Sequence, residues 1–158
     1  MFKGKFYTSK DNCIDPISVR KSIPEFATGA DECDNMAFYA VIYDESDTPL
    51  ASGRLFIDDD SAFRIDYLGV LPEYRGKYIG DLLARMLLFK AQDFHAGRLN
   101  VTTPKEYVRF FARYGLKASD TTGNFVDMSV NGDAIILEGS CSKGKKAACG
   151  GNCAECGK

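Results

Sequence analysis

The chain has 158 residues and a mass of 17.4 kDa, the size of one domain. With 45% apolar and 12% aromatic residues it can build a sizeable core, which excludes a chain disordered throughout. A net charge of −2, from 20 basic and 22 acidic side chains, argues against general nucleic-acid binding, and no apolar run reaches membrane-spanning length. No apolar stretch follows Met1-Phe2-Lys3-Gly4-Lys5 as it would in a secretory signal, so the expectation is a soluble cytoplasmic protein without a membrane or nucleic-acid partner. The charge is uneven. Residues 139–158 carry four lysines against one glutamate, a surplus of three positive charges, so the first 138 residues hold five surplus negative ones. An acidic body suits a cationic substrate such as an amine, and equally serves solubility.

In chain order, Lys5-Phe6-Tyr7-Thr8 reads as a first strand. Asp15-Pro16 then supplies a cap and a proline for the first helical position, opening a short helix through Ile23 that Pro24 ends. Ala37 to Asp44 is aromatic and β-branched, a strand covered on both faces. Leu50 to Ile57 returns as its antiparallel partner, the Asp58-Asp59-Asp60-Ser61 turn follows, and Ala62 to Val70 forms the next strand. Ile79, Leu82, Leu83, Met86, Leu87 and Phe94 then mark the clearest amphipathic helix.

Arg98 to Thr102 is a short strand. Thr103, Pro104 and Glu106 have the spacing of a capping box and predict a second strong helix through Tyr114, stopped at Gly115. Phe125 to Val130 and Ala134 to Leu137 flank Asn131-Gly132, a hairpin signal. The order β-α-β-β-β-α-β-α-β-β predicts an α/β or α+β sheet with helices packed on it, occupying residues 1–138. A Cys/Gly/Lys-rich tail occupies 139–158.

Several chemistries have no residues to carry them. The one histidine, His95, stands beside no nucleophile motif, and neither a Walker-type nor a dinucleotide-binding glycine pattern occurs. A basic glycine turn does occur between strand and helix, at Arg75-Gly76-Lys77-Tyr78-Ile79-Gly80. The first turn of a helix leaves main-chain N–H groups unpaired at the positive end of the peptide dipoles, and glycines let an anion approach them. The turn therefore suits a phosphate or pyrophosphate, or is an ordinary turn with solvated basic residues.

Leu68-Gly69-Val70-x-Pro72-x-Tyr74-Arg75-Gly76-Lys77-x-Ile79-Gly80 closely resembles the signature of the GNAT superfamily of acyl-CoA-dependent N-acyltransferases. The resemblance implies a mixed, mostly antiparallel central sheet flanked by helices, with its central strands splayed. It also implies that the main chain of Arg75, Gly76, Lys77, Tyr78, Ile79 and Gly80 cradles the coenzyme A pyrophosphate, with Tyr78 where the family has its middle glycine. Leu68, Gly69 and Val70 would pair with the pantetheine arm, the Val70 N–H polarising the thioester carbonyl. Phe110-Phe111-x-x-x-Gly115-Leu116 resembles the family segment whose tyrosine protonates the departing thiolate; Phe111 stands at that place and cannot donate. Tyr107 and Tyr114, one turn either side, are the possible substitutes, or else core and rim aromatics. Pro104 replaces an asparagine found in many members.

Asp66 lies where several members carry a base. It shares a strand face with Arg64 and Leu68 on the alternating pattern, and is either that base or a partner of Arg64 or Arg54. The first half, with Val19-Arg20 before Asp31-Glu32-x-Asp34, resembles one bacterial branch of the superfamily whose substrates are poorly defined.

In the tail, Cys141, Cys149, Cys153 and Cys156 supply four thiols in 16 positions. Four thiolates are what zinc or an iron–sulfur cluster takes; a reduced tail and a Cys153–Cys156 redox disulfide are the other readings. The resemblance implies an N-acetyltransferase that moves acetyl from acetyl-CoA to a primary amine of a small molecule or peptide, by direct attack in a ternary complex, monomeric or as a homodimer. The alternative is a non-catalytic acyl-CoA-binding or metal- or redox-sensing module on the same fold.

Overall fold

A computed structural model describes residues 1–26 and 28–137. They form one seven-stranded sheet in the order β1-β2-β3-β4-β5-β7-β6. The strands are β1 (Lys3–Thr8), β2 (Phe38–Tyr43), β3 (Pro49–Ile57), β4 (Phe63–Val70), β5 (Arg98–Pro104), β6 (Lys117–Thr122) and β7 (Phe125–Asn131). The helices are α1 (Ile14–Ser22), α2 (Ile79–Asp93) and the short α3 (Val108–Ala112). All neighbours pair antiparallel except β4 and β5, which are parallel. The mixed, mostly antiparallel α/β architecture expected from the sequence is what forms.

Helices cover both faces. The stripe Ile79, Leu83, Leu87 and Leu88 of α2 buries against Ile42, Leu50, Leu55, Ile65, Leu99 and Val101, and this core extends to Phe111 and Tyr114. Area removed from water at about 25 cal/mol per Å² makes such a stripe the main stabilising contact of the element. On the other face α1 lies across β2 and β3, with Val19 and Ile23 buried. Its first residue is Ile14, so Pro16 falls at the third helical position; the missing N–H costs nothing there, because the first four have no intrahelical acceptor. Asp15 does not cap the helix but accepts a hydrogen bond from the Tyr43 hydroxyl at 2.7 Å.

Two expected elements differ. The capping box at Thr103 does not open a helix: β5 runs on through Pro104, paired residue for residue with β7, and Thr103 is buried. A 3₁₀ turn over Lys105–Tyr107 then leads into α3, which ends at Ala112 before Gly115, the latter at φ +93°. Long-range pairing outweighs the local capping signal here. The Asn131-Gly132 hairpin does not form either. Its place is taken one strand earlier by the β6–β7 hairpin, which turns at Gly123-Asn124, and residues 134–137 form no strand. β6 was invisible as Lys-Ala-Ser-Asp-Thr-Thr because it is exposed along its whole length and carries no apolar alternation. Gly132 instead enters a 3₁₀ turn packed on the end of α2, where an added Cβ would stand 1.7 Å from the Ala96 carbonyl oxygen. The boundary expected near Glu138 and the cysteine tail, with its zinc or iron–sulfur reading, lie outside the described residues. No helix among the described residues is long and apolar enough to cross a membrane.

Candidate active site

The parallel pair β4/β5 is joined over three positions only, Phe63–Leu99, Arg64–Asn100 and Ile65–Val101. Beyond Ile65 and Val101 the strands part, and residues 66–70 and 102–104 become the walls of a cavity of about 400 Å³. A bulge on β4 helps to open it. Arg54 pairs with Asp66 but Ser52 pairs with Gly69, so two β4 residues pass the single residue Gly53, and Tyr67 takes the extra place at φ +47°.

The bulge also resets which side chains share a face. Leu68 packs toward Gly53 and the α2 core, while a Cβ at Gly69 would stand 2.7 Å from both Ile23 and Phe26 on the α1 side. Asp66 and Leu68 therefore do not share a face, contrary to plain alternation. The cavity is lined by Ile23, Glu25 and Phe26 following α1, and by Ile79, Gly80 and Asp81 opening α2, so the split connects the two faces of the sheet.

Leu71 donates its N–H to the Leu50 carbonyl at 2.9 Å. Antiparallel pairs alternate, so at the next position the N–H and C=O of Val70 turn away from β3 and toward the split. The Val70 carbonyl accepts from Arg75 Nε at 3.0 Å. Gly69, Val70 and Leu68 thus present a wall whose main chain is half unpaired.

The turn from β4 to α2 runs through Gly76, at φ +79°, and Tyr78, at φ +60°. Tyr78 is the residue preceding α2 and is 87% exposed, so its ring leaves the turn for solvent. Among the described residues the main-chain N–H groups of Gly76, Tyr78, Ile79 and Gly80 meet no acceptor, which is the anion-receptive geometry of a helix start. A Cβ at Gly80 would touch only Val70 Cγ2, at 3.6 Å. Arg75 is held by Glu25 (Nη1–Oε1 2.8 Å), and this bond, with the guanidinium charge, holds the Glu25 carboxyl below its usual range. Lys77 lies over the Tyr74 ring.

Asp81 would place a negative charge in that first turn. It is neutralised by Arg85 (Nε–Oδ2 2.8 Å) and Arg113 (Nη2–Oδ1 3.4 Å) and accepts the Tyr114 hydroxyl. Burial works to raise the Asp81 carboxyl, but these partners outweigh it and hold it low. Burial and the Asp81 bond push the Tyr114 phenol well up. Tyr114 is 2% exposed and its hydroxyl is held by Asp81, which itself lines the cavity. Tyr107 does line the wall and is 40% exposed, but it lies in the 3₁₀ turn rather than one helical turn from Phe111.

Asp66 reaches the cavity with its carboxylate clamped from below. Arg54 donates from Nε to Oδ1 at 2.8 Å and from Nη2 to Oδ2 at 2.6 Å, so of the two partners considered it is Arg54 that binds, and Arg64 that pairs with Asp58. Arg54 also donates to Asp31 and to Asp34, and Asp34 accepts both guanidinium nitrogens of Arg20, the Asp31 N–H and the Tyr39 hydroxyl. Burial lifts the Asp66 carboxyl above its ordinary value, with Arg54 pulling the other way. Asp34 is also pressed upward by burial, yet its many donors hold it far below the usual range. Sequence reasoning quoted Arg20 and Asp34 only as part of a family likeness; a buried arginine followed by a loop aspartate carries no periodic signal of its own. It missed Glu25, Phe26 and Tyr67.

Residues 10–116 match the model of the acetyltransferase (GNAT) family, more than half of the chain. The chain belongs to that family, whose chemistry is acyl transfer from an acyl-coenzyme A. Solved structures agree on the fold. An acyl-CoA N-acyltransferase from Pseudomonas aeruginosa superposes with a TM-score of 0.69 at 15% identity, covering 82% of this chain and 99% of that one. Escherichia coli ElaA gives 0.68 at 14% identity, with 82% and 99% covered. A GNAT family acetyltransferase from Elizabethkingia anophelis, solved with acetyl-CoA bound, gives 0.64 at 12% identity, with 82% and 97% covered.

Proposed function

We propose that the protein is an acetyl-CoA-dependent N-acetyltransferase acting on a primary amine in a ternary complex. The observation that carries this reading is the cavity between β4 and β5, which joins an anion-receptive helix start on one face of the sheet to a half-buried carboxylate on the other.

In this account the pyrophosphate lies on the N–H groups of Gly76 and of Tyr78 to Gly80, with Arg75, Lys77 and the aligned peptide dipoles supplying positive charge. The pantetheine arm runs along Leu68, Gly69 and Val70, and the Val70 N–H polarises the thioester carbonyl. Asp66 takes a proton from the incoming ammonium, directly or through one water, and the freed nitrogen lone pair forms the C–N bond. The C–S bond then breaks, its electron pair leaves on sulfur, and Tyr107 delivers a proton to the thiolate; the second proton, left on the nitrogen after attack, passes through water to restore Tyr107, and the proton on Asp66 is released to solvent. Arg54 is a positioning residue: it fixes both oxygens of Asp66 and limits how far burial raises its pKa. Acetyl-CoA is the sole co-substrate this chemistry needs.

The reading is tested by following thiol release with amines across pH. A base must be ionised to act, so turnover should rise with pH through the raised pKa of Asp66. Asp66→Asn should lower kcat/KM by roughly 10²-fold or more and remove that limb while sparing acetyl-CoA affinity. An unaltered pH–rate profile in the variant would end the base assignment. Acetyl-CoA binding with no thiol release on any amine would turn the reading toward a binding module.

A further inference from the structure

The acceptor end of the cavity is chemically one-sided. On the α1 side of the split its wall is Ile23, Phe26, Tyr67 and the face of Gly69, and its two carboxylates are Asp66 and Glu25, the latter bound by Arg75. Phe26 and Tyr67 meet edge to face, with ring centroids 5.5 Å apart. The Tyr67 ring is fixed in turn by the guanidinium groups of Arg20 and Arg54, at 4.3 and 4.8 Å from its centroid. This is an aromatic, apolar wall beside the Asp66 carboxylate.

Cations are committed elsewhere. Arg54 is 2% exposed and spends four hydrogen bonds on Asp66, Asp31 and Asp34. Among the described residues that line the cavity, the basic ones are Arg75 and Arg113; Arg75 is engaged by Glu25 and the Val70 carbonyl, and Arg113 by Asp81, all beside the α2 turn. A carboxylate carried next to the acceptor amine would lose water, meet the charge of Asp66 and find no cation to receive it.

We infer that the acceptor is a primary amine on an apolar body, with no carboxylate beside the amine; this rests on the acyltransferase reading above. Bound, its ammonium lies on Asp66 and its body lies against Phe26 and Tyr67. An amino acid is refused by its carboxylate, and a small hydrophilic amine gains nothing from the aromatic wall.

Calorimetric titrations on the full chain saturated with coenzyme A test this, using 2-phenylethylamine, L-phenylalaninamide, L-phenylalanine and ethanolamine. The amide keeps the bulk of the amino acid and deletes its negative charge. The expected result is that 2-phenylethylamine and L-phenylalaninamide bind comparably, and L-phenylalanine and ethanolamine each at least about ten-fold more weakly. In Asp66→Asn, 2-phenylethylamine should weaken about ten-fold while neutral 2-phenylethanol is unchanged. L-Phenylalanine binding as tightly as its amide, or ethanolamine as tightly as 2-phenylethylamine, would overturn the inference and leave the acyltransferase reading intact. Absence of coenzyme A binding would overturn that reading, and the inference with it.

Discussion

Tyr67 holds φ +47°, a region that side chains seldom enter, because two residues of β4 must pass Gly53 on β3. That kink places Asp66 beside Arg54, sends Leu68 into the α2 core and brings Gly69 under Phe26. Asp66, Val70 and the Arg75–Gly80 turn were all legible in the sequence, since each sits in a local pattern with its own chemistry. The bulge was not. Alternation put Asp66 and Leu68 on one face, and nothing local in Asp-Tyr-Leu-Gly announces an extra residue whose cause lies on the neighbouring strand. Arg54 was legible as one of two candidate partners of Asp66; its further bonds to Asp31 and Asp34, 23 and 20 residues away, were not. Tyr78 is the converse case. A left-handed residue with its ring in solvent leaves its N–H free to face an anion, so the change from glycine costs conformational strain rather than the turn itself. The fall in turnover expected for Asp66→Asn belongs at this scale, because the arginine beneath keeps Asp31 and Asp34 as partners and the fold keeps its clamp.

Elements with a strong apolar period appeared where the sequence put them. α2 and strands β2 to β4 match their expected spans within a residue or two. The departures lie where pairing across the sheet competes with a local signal. Thr103-Pro104 has the letters of a helix start, but β7 supplies a partner for each residue through Pro104, and the chain stays extended. Asn131-Gly132 has the letters of a hairpin, but it abuts the end of α2. Gly132 donates its N–H to the Gly97 carbonyl at 3.1 Å and lies against Ala96 so closely that no side chain fits. Gly132→Ala should accordingly destabilise the protein by about 1–3 kcal/mol, a fall of several degrees in Tm by calorimetry, with acetyl-CoA affinity at 25 °C little changed. An unshifted Tm would mean that the 132–134 turn does not pack on α2 as described.

Across the whole molecule, two charge networks flank the cavity, the largely buried Arg20–Asp34–Arg54–Asp66 on one face and the more exposed Asp81–Arg85–Arg113–Tyr114 on the other. Asp34 and Asp81 have folded-state pKa values below their ordinary ones. A depressed carboxylate contributes stability that is fully present above the unfolded value of about 4 and is lost as pH falls toward the folded value. Asp66 has the opposite sign, its pKa raised, so its own contribution moves the other way over the same acid range. The two depressed groups outnumber it. The chain should lose stability between about pH 4 and 2 in urea titrations, and Asp34→Asn should flatten that loss while lowering stability at pH 7. A stability profile level through this range would contradict the network.

The central claim is that the turn from Gly76 to Gly80 receives the pyrophosphate of an acyl-coenzyme A. Calorimetric titration of acetyl-CoA into the protein and into Gly80→Glu tests it most directly. The substituted Cβ has room beside Val70, so the variant should fold, and its carboxylate would stand in the first turn of α2, where the phosphates are proposed to lie. The account predicts saturable binding to the native chain and a loss of at least about a hundred-fold in the variant, with Tm little changed. Equal affinity in the two proteins, or no binding to either, would contradict it.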